Sequence, residues 1–321
     1  MRRRWHWVLS PLLLFFSAAL WAVEAGYRNF LGMEFVTIEV GEPYFMGSCR
    51  GSYVDHALAL AAGIKTAPPC LSGAEEDEDA TDNELPQHEV RLSEPFQMGV
   101  FEVTLGQFSR YLEALGSGVR TTEFQQANQH GSRAAVSGVS WNAAQRFIQW
   151  LNINKPIEDQ GHYRLPSEAE WEYVARAGSV ARFGFSESSD ELIQYAWYDK
   201  NAYDLGQHYA HEVGKKQPNV WGVYDMLGNV WEWTADCWHI NYRGAPKDGR
   251  PWLENCEGDE HPFRGGAWPF YARNERVAFR YYSSAAYHNE LGLRVVRALP
   301  VAVRTAKNST HSPPPTSPHR R

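Results

Sequence analysis

Hydrophobic and polar positions change period several times along this chain, and each change marks an element. Phe35-Val-Thr-Ile-Glu-Val40 is a β-rich run followed by Gly41 and Phe45-Met-Gly-Ser48, which together predict an opening hairpin. Two short alternating segments, His88-Glu-Val-Arg-Leu92 and Phe96-Gln-Met-Gly-Val-Phe101, predict further strands. The period then lengthens. Thr104 precedes an apolar stripe through Phe108, Tyr111 and Leu112, which predicts a helix with a threonine cap. Ser140 repeats the device ahead of Trp141, Ala144, Phe147, Trp150 and Leu151. Ser167 opens a third helix, Glu170 completes its capping box, and Gly178 is placed to stop it. Glu168, Glu170 and Glu172 invite a general-acid reading, but carboxylates in a first turn also favour the helix dipole, and that is the role expected of them.

Beyond residue 180 regular periodicity mostly fails. Gly, Asn, Pro and aromatic residues dominate to residue 295, which predicts a long irregular region held by side chains rather than by ladders. Its centre is Asn219 to Asp236, which gathers three tryptophans, a tyrosine, two glycines and three carboxylates. Asp225 and Glu232 stand seven residues apart around the Gly228-Asn229 turn signal. A chain folded back there would bring two carboxylates and the carbonyls between them to one point, which suits a hard cation such as calcium.

Composition narrows the setting. The chain has 321 residues, 43% of them hydrophobic, with 13 tryptophans, enough for one large domain with a real core. A net charge of −7 gives no case for nucleic-acid binding. The N-terminus has a basic Arg2-Arg-Arg4 head, a short apolar run and small residues near Ala25, which predicts a secretory signal peptide over 1–25. The protein is expected to be exported, periplasmic or secreted, and to meet a membrane only if that segment is uncleaved. Four cysteines, at 49, 70, 237 and 256, allow three connectivities in an oxidising compartment. Nearest-neighbour pairing, Cys49–Cys70 and Cys237–Cys256, is the preferred one and closes two loops of about twenty residues. Residues 49–85 form an insertion ending in the acidic run Glu75–Asp79, expected to be a solvated loop. The segment 299–321 is expected to be disordered.

Six motifs in order now carry a resemblance: Glu102-Val-Thr, Val139-Ser-Trp, Tyr163 to Glu172, Asn219 to Trp233, Arg264-Gly-Gly-Ala-Trp and Gly292-Leu-Arg. This set resembles the formylglycine-generating enzyme (sulfatase-modifying factor) family over roughly residues 30–297. The resemblance implies one α+β domain, 26–298, of C-type-lectin-like fold with little regular structure and internal calcium. Matched residue by residue, it places calcium on Asp225, the carbonyls of Gly228 and Val230, and Glu232. It places a second, weaker site on Asn201 and Ala202, with Asp204 a loose third ligand.

The catalytic part of the resemblance fails. The family's oxidases hold copper on two cysteines after the Gly-Gly-Ser motif, and a soft Cu(I) ion needs thiolates. Counting from Gly265-Gly266, the serine falls on Ala267, the first cysteine on Phe270 and the second on Glu275, and no cysteine follows Cys256. Copper and the sulfatase-activating oxidation are therefore not expected. The His208-Tyr-Ala-His211 pair is read as surface placement rather than as a metal site. What remains is a binding or accessory module, its ligand (a protein or small molecule) meeting a pocket near the aromatic-rich region 266–291. That region also resembles the variable region of lectin-fold receptors diversified by reverse transcriptase. The alternative is an enzyme of an exported, siderophore-tailoring branch, with Glu275 as acid/base beside Arg273, Tyr271 and Trp231. Trp231 is expected to face the pocket opposite Phe270 and Glu275, and Glu275 itself to pair with Arg273 or Arg280 at the surface.

Overall fold

The structure, a computed structural model, describes residues 26–50, 70, 75–116, 121–284 and 289–300. The signal segment, most of the insertion and nearly all of the C-terminal tail lie outside the described residues. In chain order the strands are β1 (Tyr27–Arg28), β2 (Glu34–Ile38), β3 (Tyr44–Met46), β4 (His88–Val90), β5 (Phe96–Gly99), β6 (His162–Arg164), β7 (Trp231–Trp233), β8 (Glu260–Arg264), β9 (Arg280–Ser284), β10 (Leu291–Gly292) and β11 (Val296–Ala298). The α-helices are α1 (Leu105–Leu115), α2 (Thr122–Ala127), α3 (Trp141–Asn154), α4 (Glu168–Arg176) and α5 (Leu192–Tyr195). Short strands and few helices give the expected α+β architecture.

Three sheets carry the fold, in the orders β1-β2-β5-β11-β6, β10-β7-β8-β9 and β3-β4. The expected opening hairpin does not form. β2 pairs with β1 and β5, while β3 crosses the insertion to pair with β4, Tyr44 opposite Val90. In the five-stranded sheet Val36, Met98 and Val296 stand in register and face one core with Trp171 and Val174 of α4. Phe35 and Tyr163 join the other core, with Phe108 and Tyr111 of α1 and Phe147 and Leu151 of α3. The period-two alternation of a strand thus feeds two cores from one sheet.

The three predicted caps form as read. The Thr104 hydroxyl accepts from the Gln107 N–H (3.3 Å), the Ser140 hydroxyl from Ala143 (3.2 Å) and the Ser167 hydroxyl from Glu170 (3.0 Å), each satisfying an orphan donor of a first turn. At the end of α4 the left-handed cap is Ala177, one residue before Gly178. Past residue 180 the chain is less irregular than its pattern suggested, because β7 to β10 form a four-stranded sheet and β11 joins the five-stranded one. Among the described residues no helix is long and apolar enough to cross a membrane.

Both disulfides follow the nearest-neighbour pairing, Cys49–Cys70 and Cys237–Cys256, each with 5.5 Å between Cα atoms. Replacing Cys237 and Cys256 by serine should lower stability by about 3 kcal/mol in the chain-entropy model, measured by urea denaturation. A loss well under about 1 kcal/mol would mean that the His239–Trp252 stack (3.4 Å) already closes that loop. The acidic run departs from expectation at one residue. Asp77 is buried and accepts from Arg276 Nη1, which also binds Glu84 (2.7 Å).

Candidate functional site

The central segment builds the middle of the second sheet. Asn219 ties the turn before it, its Oδ1 accepting from the N–H groups of Trp221 and Val223. Asp225 and Asn229 adopt positive φ (54° and 59°), conformations that Asn and Asp tolerate better than bulkier residues. Gly228 is obligatory: a Cβ there would lie 2.2 Å from the Trp197 carbonyl oxygen. Asn229 then crosslinks the interior, accepting from the His211 N–H (2.8 Å) and donating to Glu102 (2.8 Å).

The side chains expected to hold calcium here have protein partners. Glu232 is saturated: Arg294 reaches both its oxygens through Nε (3.0 Å each) and Oε1 again through Nη2 (2.6 Å), while the Trp171 indole donates to Oε2 (2.8 Å). A buried guanidinium already balances that carboxylate. Asp225 uses Oδ2 on the Gly214 N–H (2.6 Å), leaving only its Oδ1 without a partner. The nearby Glu102 is pushed well above the usual carboxylate range by burial, then by the charges of Asp225 and Glu232, so a proton relieves the excess. The residues expected at the second site also have protein partners. The Asn201 amide accepts from the Tyr198 N–H (2.9 Å) and donates to the carbonyls of Ile193 and Ala196, while the Ala202 carbonyl accepts from Leu205 and Gln207. Asp204 pairs with Lys200 (2.9 Å). His208 and His211 do not converge: His208 stacks on Tyr203 and His211 on Trp197. Among the described residues no group of three or more His, Cys, Asp or Glu could hold a metal.

The glutamates of α4 do something the sequence did not announce. Glu168 accepts from Arg280 through Nε (2.6 Å) and Nη2 (2.7 Å) and from Arg264 Nη1 (2.9 Å). Glu172 accepts from Arg264 Nη2 (2.5 Å), Arg176 Nη2 (2.7 Å) and the Gly47 N–H (2.8 Å). Both carboxylates are buried, and their arginines hold them below the usual range although burial pulls the other way. Only Glu170 behaves as expected, capping the helix while it pairs with Arg164.

Asp236 closes this network. Its Oδ2 accepts from the Glu168 N–H (2.7 Å) and its Oδ1 from the Trp252 N–H (2.8 Å). Burial first, then the Glu168 charge, push its pKa up to about 7. The folded state therefore holds this proton more tightly than an unfolded aspartate near pH 3.9, and its contribution to stability falls as pH rises from about 4 to about 7. Asp236→Asn should remove roughly 1.4 kcal/mol per pH unit of that slope between about pH 5 and 7, read from urea denaturation at several pH values. Parallel curves for the two proteins would contradict the assignment.

Phe270 and Glu275, the residues expected at the family's thiolate positions, both pack into the interior. Phe270 packs edge-on against Trp231 (5.2 Å), which also touches Phe263 and Phe279 and is only 3% exposed. Trp231 is thus a core residue rather than a pocket wall. Glu275 is 0% exposed and pairs with neither expected arginine: Arg280 is bound to Glu168, and Arg273 lies exposed over the Tyr271 ring (5.4 Å). Burial pushes its pKa well above the usual range, and the Asp199 charge adds to this. Asp199, which no motif flagged, is buried here with its N–H donating to the Phe270 carbonyl (2.9 Å). A cavity of about 510 Å³, counting its open mouth, lies elsewhere, lined by residues that include Phe183, Phe185, Tyr195, Val223, Met226 and Leu227.

Comparison with known proteins agrees with this geometry. The family model of the sulfatase-modifying factor enzyme 1-like domain matches residues 65–299. The serine/threonine-protein kinase pkn1 of Chlamydia pneumoniae is 28% identical over 233 residues, 67% of this chain and 35% of that protein. The chain thus spans about a third of the length of such kinase-named relatives. The inactive C-alpha-formylglycine-generating enzyme 2 of Mus musculus is 32% identical over 171 residues, 48% of this chain and 51% of that protein. Among solved structures, PvdO from Pseudomonas aeruginosa superposes with a TM-score of 0.68 at 28% identity, over 85% of this chain and 98% of that one. Treponema denticola variable protein 1, at 22% identity, TM-score 0.53 and 82% and 98% coverage, shares the fold. The ordered motifs, the four-stranded sheet around β7 and the match over residues 65–299 give one conclusion: this chain belongs to the formylglycine-generating-enzyme (sulfatase-modifying factor) family.

Proposed function

We propose that this protein is an exported binding or accessory domain on the formylglycine-generating-enzyme scaffold, without the copper-dependent oxidation of cysteine. One observation carries the reading: the two thiolate positions hold Phe270, packed on Trp231, and Glu275, sealed in the interior. Neither a phenyl ring nor a buried carboxyl stabilises Cu(I). All four cysteines are consumed in disulfides, which supports an oxidising compartment. The ligand face lies in 266–291, where Tyr271 (59% exposed) and Tyr281 (51% exposed) present aromatic surface and Tyr282 stacks on Trp238 (4.2 Å). Rigid aromatic residues give contact area at low entropic cost.

The test is incubation of the protein with copper, oxygen and a Cys-x-Pro-x-Arg peptide. No aldehyde is expected, and aldehyde formation would overturn the reading. A tailoring enzyme is the second reading, supported by the extent of the likeness to PvdO. It requires that Glu275→Gln change a metabolite profile of the host.

A further inference from the structure

Beyond that reading, and on other residues, we infer that an apolar patch on the β1–β2 turn and the outer side of α3 rests on a lipid bilayer, the one entered by the chain's own N-terminal segment. Single apolar side chains in water are ordinary, but a cluster of them marks a contact surface. Ile153 is 73% and Ile157 85% exposed, Leu115 and Phe30 are exposed as well, and Trp150 is half-buried among them. Phe30 lies against Trp150 (6.0 Å between ring centroids), and Trp150 against Tyr111 of α1 (5.8 Å). Ile153 follows Trp150 by three residues on α3, and Leu115 follows Tyr111 by four on α1, spacings that put each pair on one helical face. Ile157 comes just past the end of α3, in the turn closed by the Asp159 N–H on the Pro156 carbonyl (3.0 Å).

The turn that carries Phe30 is a fixed frame. Asn29 is buried, its Oδ1 accepts from the N–H groups of Leu31 and Met33 (3.0 Å each), and Gly32, at φ 74°, donates to the Asn29 carbonyl (2.9 Å). Phe30 is thus held at the surface rather than left there by a loose loop. Chain geometry says what meets it. Tyr27 and Leu31 pack on the same core as Trp150, so the chain enters the domain at this face. The apolar run from Leu12 to Val23 ends four residues before Tyr27, and four extended residues reach roughly 14 Å. A bilayer holding that run therefore comes within that distance of Tyr27, beside the patch. The side chains suit it: Trp and Phe favour the headgroup level, and Arg146, exposed four residues before Trp150 on α3, offers a cation to lipid phosphates. Among the described residues no helix is long and apolar enough to cross a membrane, so the contact is interfacial.

The test puts one environment-sensitive fluorophore on the full chain through Ile153→Cys and compares it with Val220→Cys, an exposed position that lines the separate cavity near Phe183. With vesicles of phosphatidylcholine and phosphatidylglycerol, emission from position 153 should shift to the blue and emission from 220 should not move. A label at 153 that stays in water, or equal shifts at both positions, would overturn the proposal. A label at 153 already shifted before lipid is added would mean that residues 1–25 or a second copy covers the patch, and would overturn it too. Ile157→Asp changes a side chain already in water, so the fold should keep its unfolding midpoint while the shift at 153 shrinks, because a carboxylate resists leaving water. An undiminished shift would overturn the proposal. The bilayer's identity rests on the export reading, which cell fractionation checks separately, so failure of export and failure of the patch are distinct results.

Discussion

Replacing Arg264 with methionine is expected to lower the unfolding free energy by about 3–5 kcal/mol, the usual effect of removing one partner from a buried ion pair. Arg264 is fully buried on β8 and serves Glu168, Glu172, the Tyr242 hydroxyl (3.0 Å) and the Val277 carbonyl (2.7 Å) at once. Methionine fills most of the volume but leaves Glu172 with only Arg176 and the Gly47 N–H, and leaves the Val277 carbonyl bare. For a domain of this size the midpoint of thermal unfolding should drop by roughly 10 °C. The loss should not be recovered by salt, because buried pairs are screened far less than surface ones. A loss under about 1 kcal/mol would mean that α4 and β8 are held by apolar packing alone.

Gly266→Ala is expected to be similarly severe, at roughly 2–5 kcal/mol, because two effects add. Residue 266 has φ 80°, a left-handed conformation that strains any L side chain. The added methyl also falls 2.0 Å from a carboxyl oxygen that has no room to retreat, since Glu275 is sealed. The two parts can be separated. In a Glu275→Ala background the collision disappears and only the backbone strain remains, so the alanine at 266 should then cost about 1–2 kcal/mol. Equal losses in both backgrounds would show that Glu275 does not press on the loop.

Much of the fold was legible because much of it is local. Thr104, Ser140 and Ser167 each sit directly before the stripe they cap, and nearest-neighbour disulfides need no knowledge of topology. What failed was non-local. The pairing of β3 with β4 spans the insertion, and nothing near Phe45 points to Glu89. Glu168 and Glu172 look like dipole glutamates because, Arg176 apart, their arginines come about a hundred residues later, at 264 and 280. The spacing of Asp225 and Glu232 likewise carried no hint that Arg294, 62 residues on from Glu232, would pair with that carboxylate. At the positions aligned with the family's thiolates the sequence offered Phe270 and Glu275 and could not show that Glu275 turns inward. The signal that could have found this was Gly266, since a glycine pair marks a backbone with something packed on it.

The central claim is the proposal that this family scaffold does not hold copper. Titration of the purified, disulfide-intact protein with Cu(I) against a chromophoric chelator tests it most directly. No copper should leave the chelator, and Phe270→Ala should behave the same way. Retention of one equivalent of Cu(I) by the wild-type protein would contradict the account.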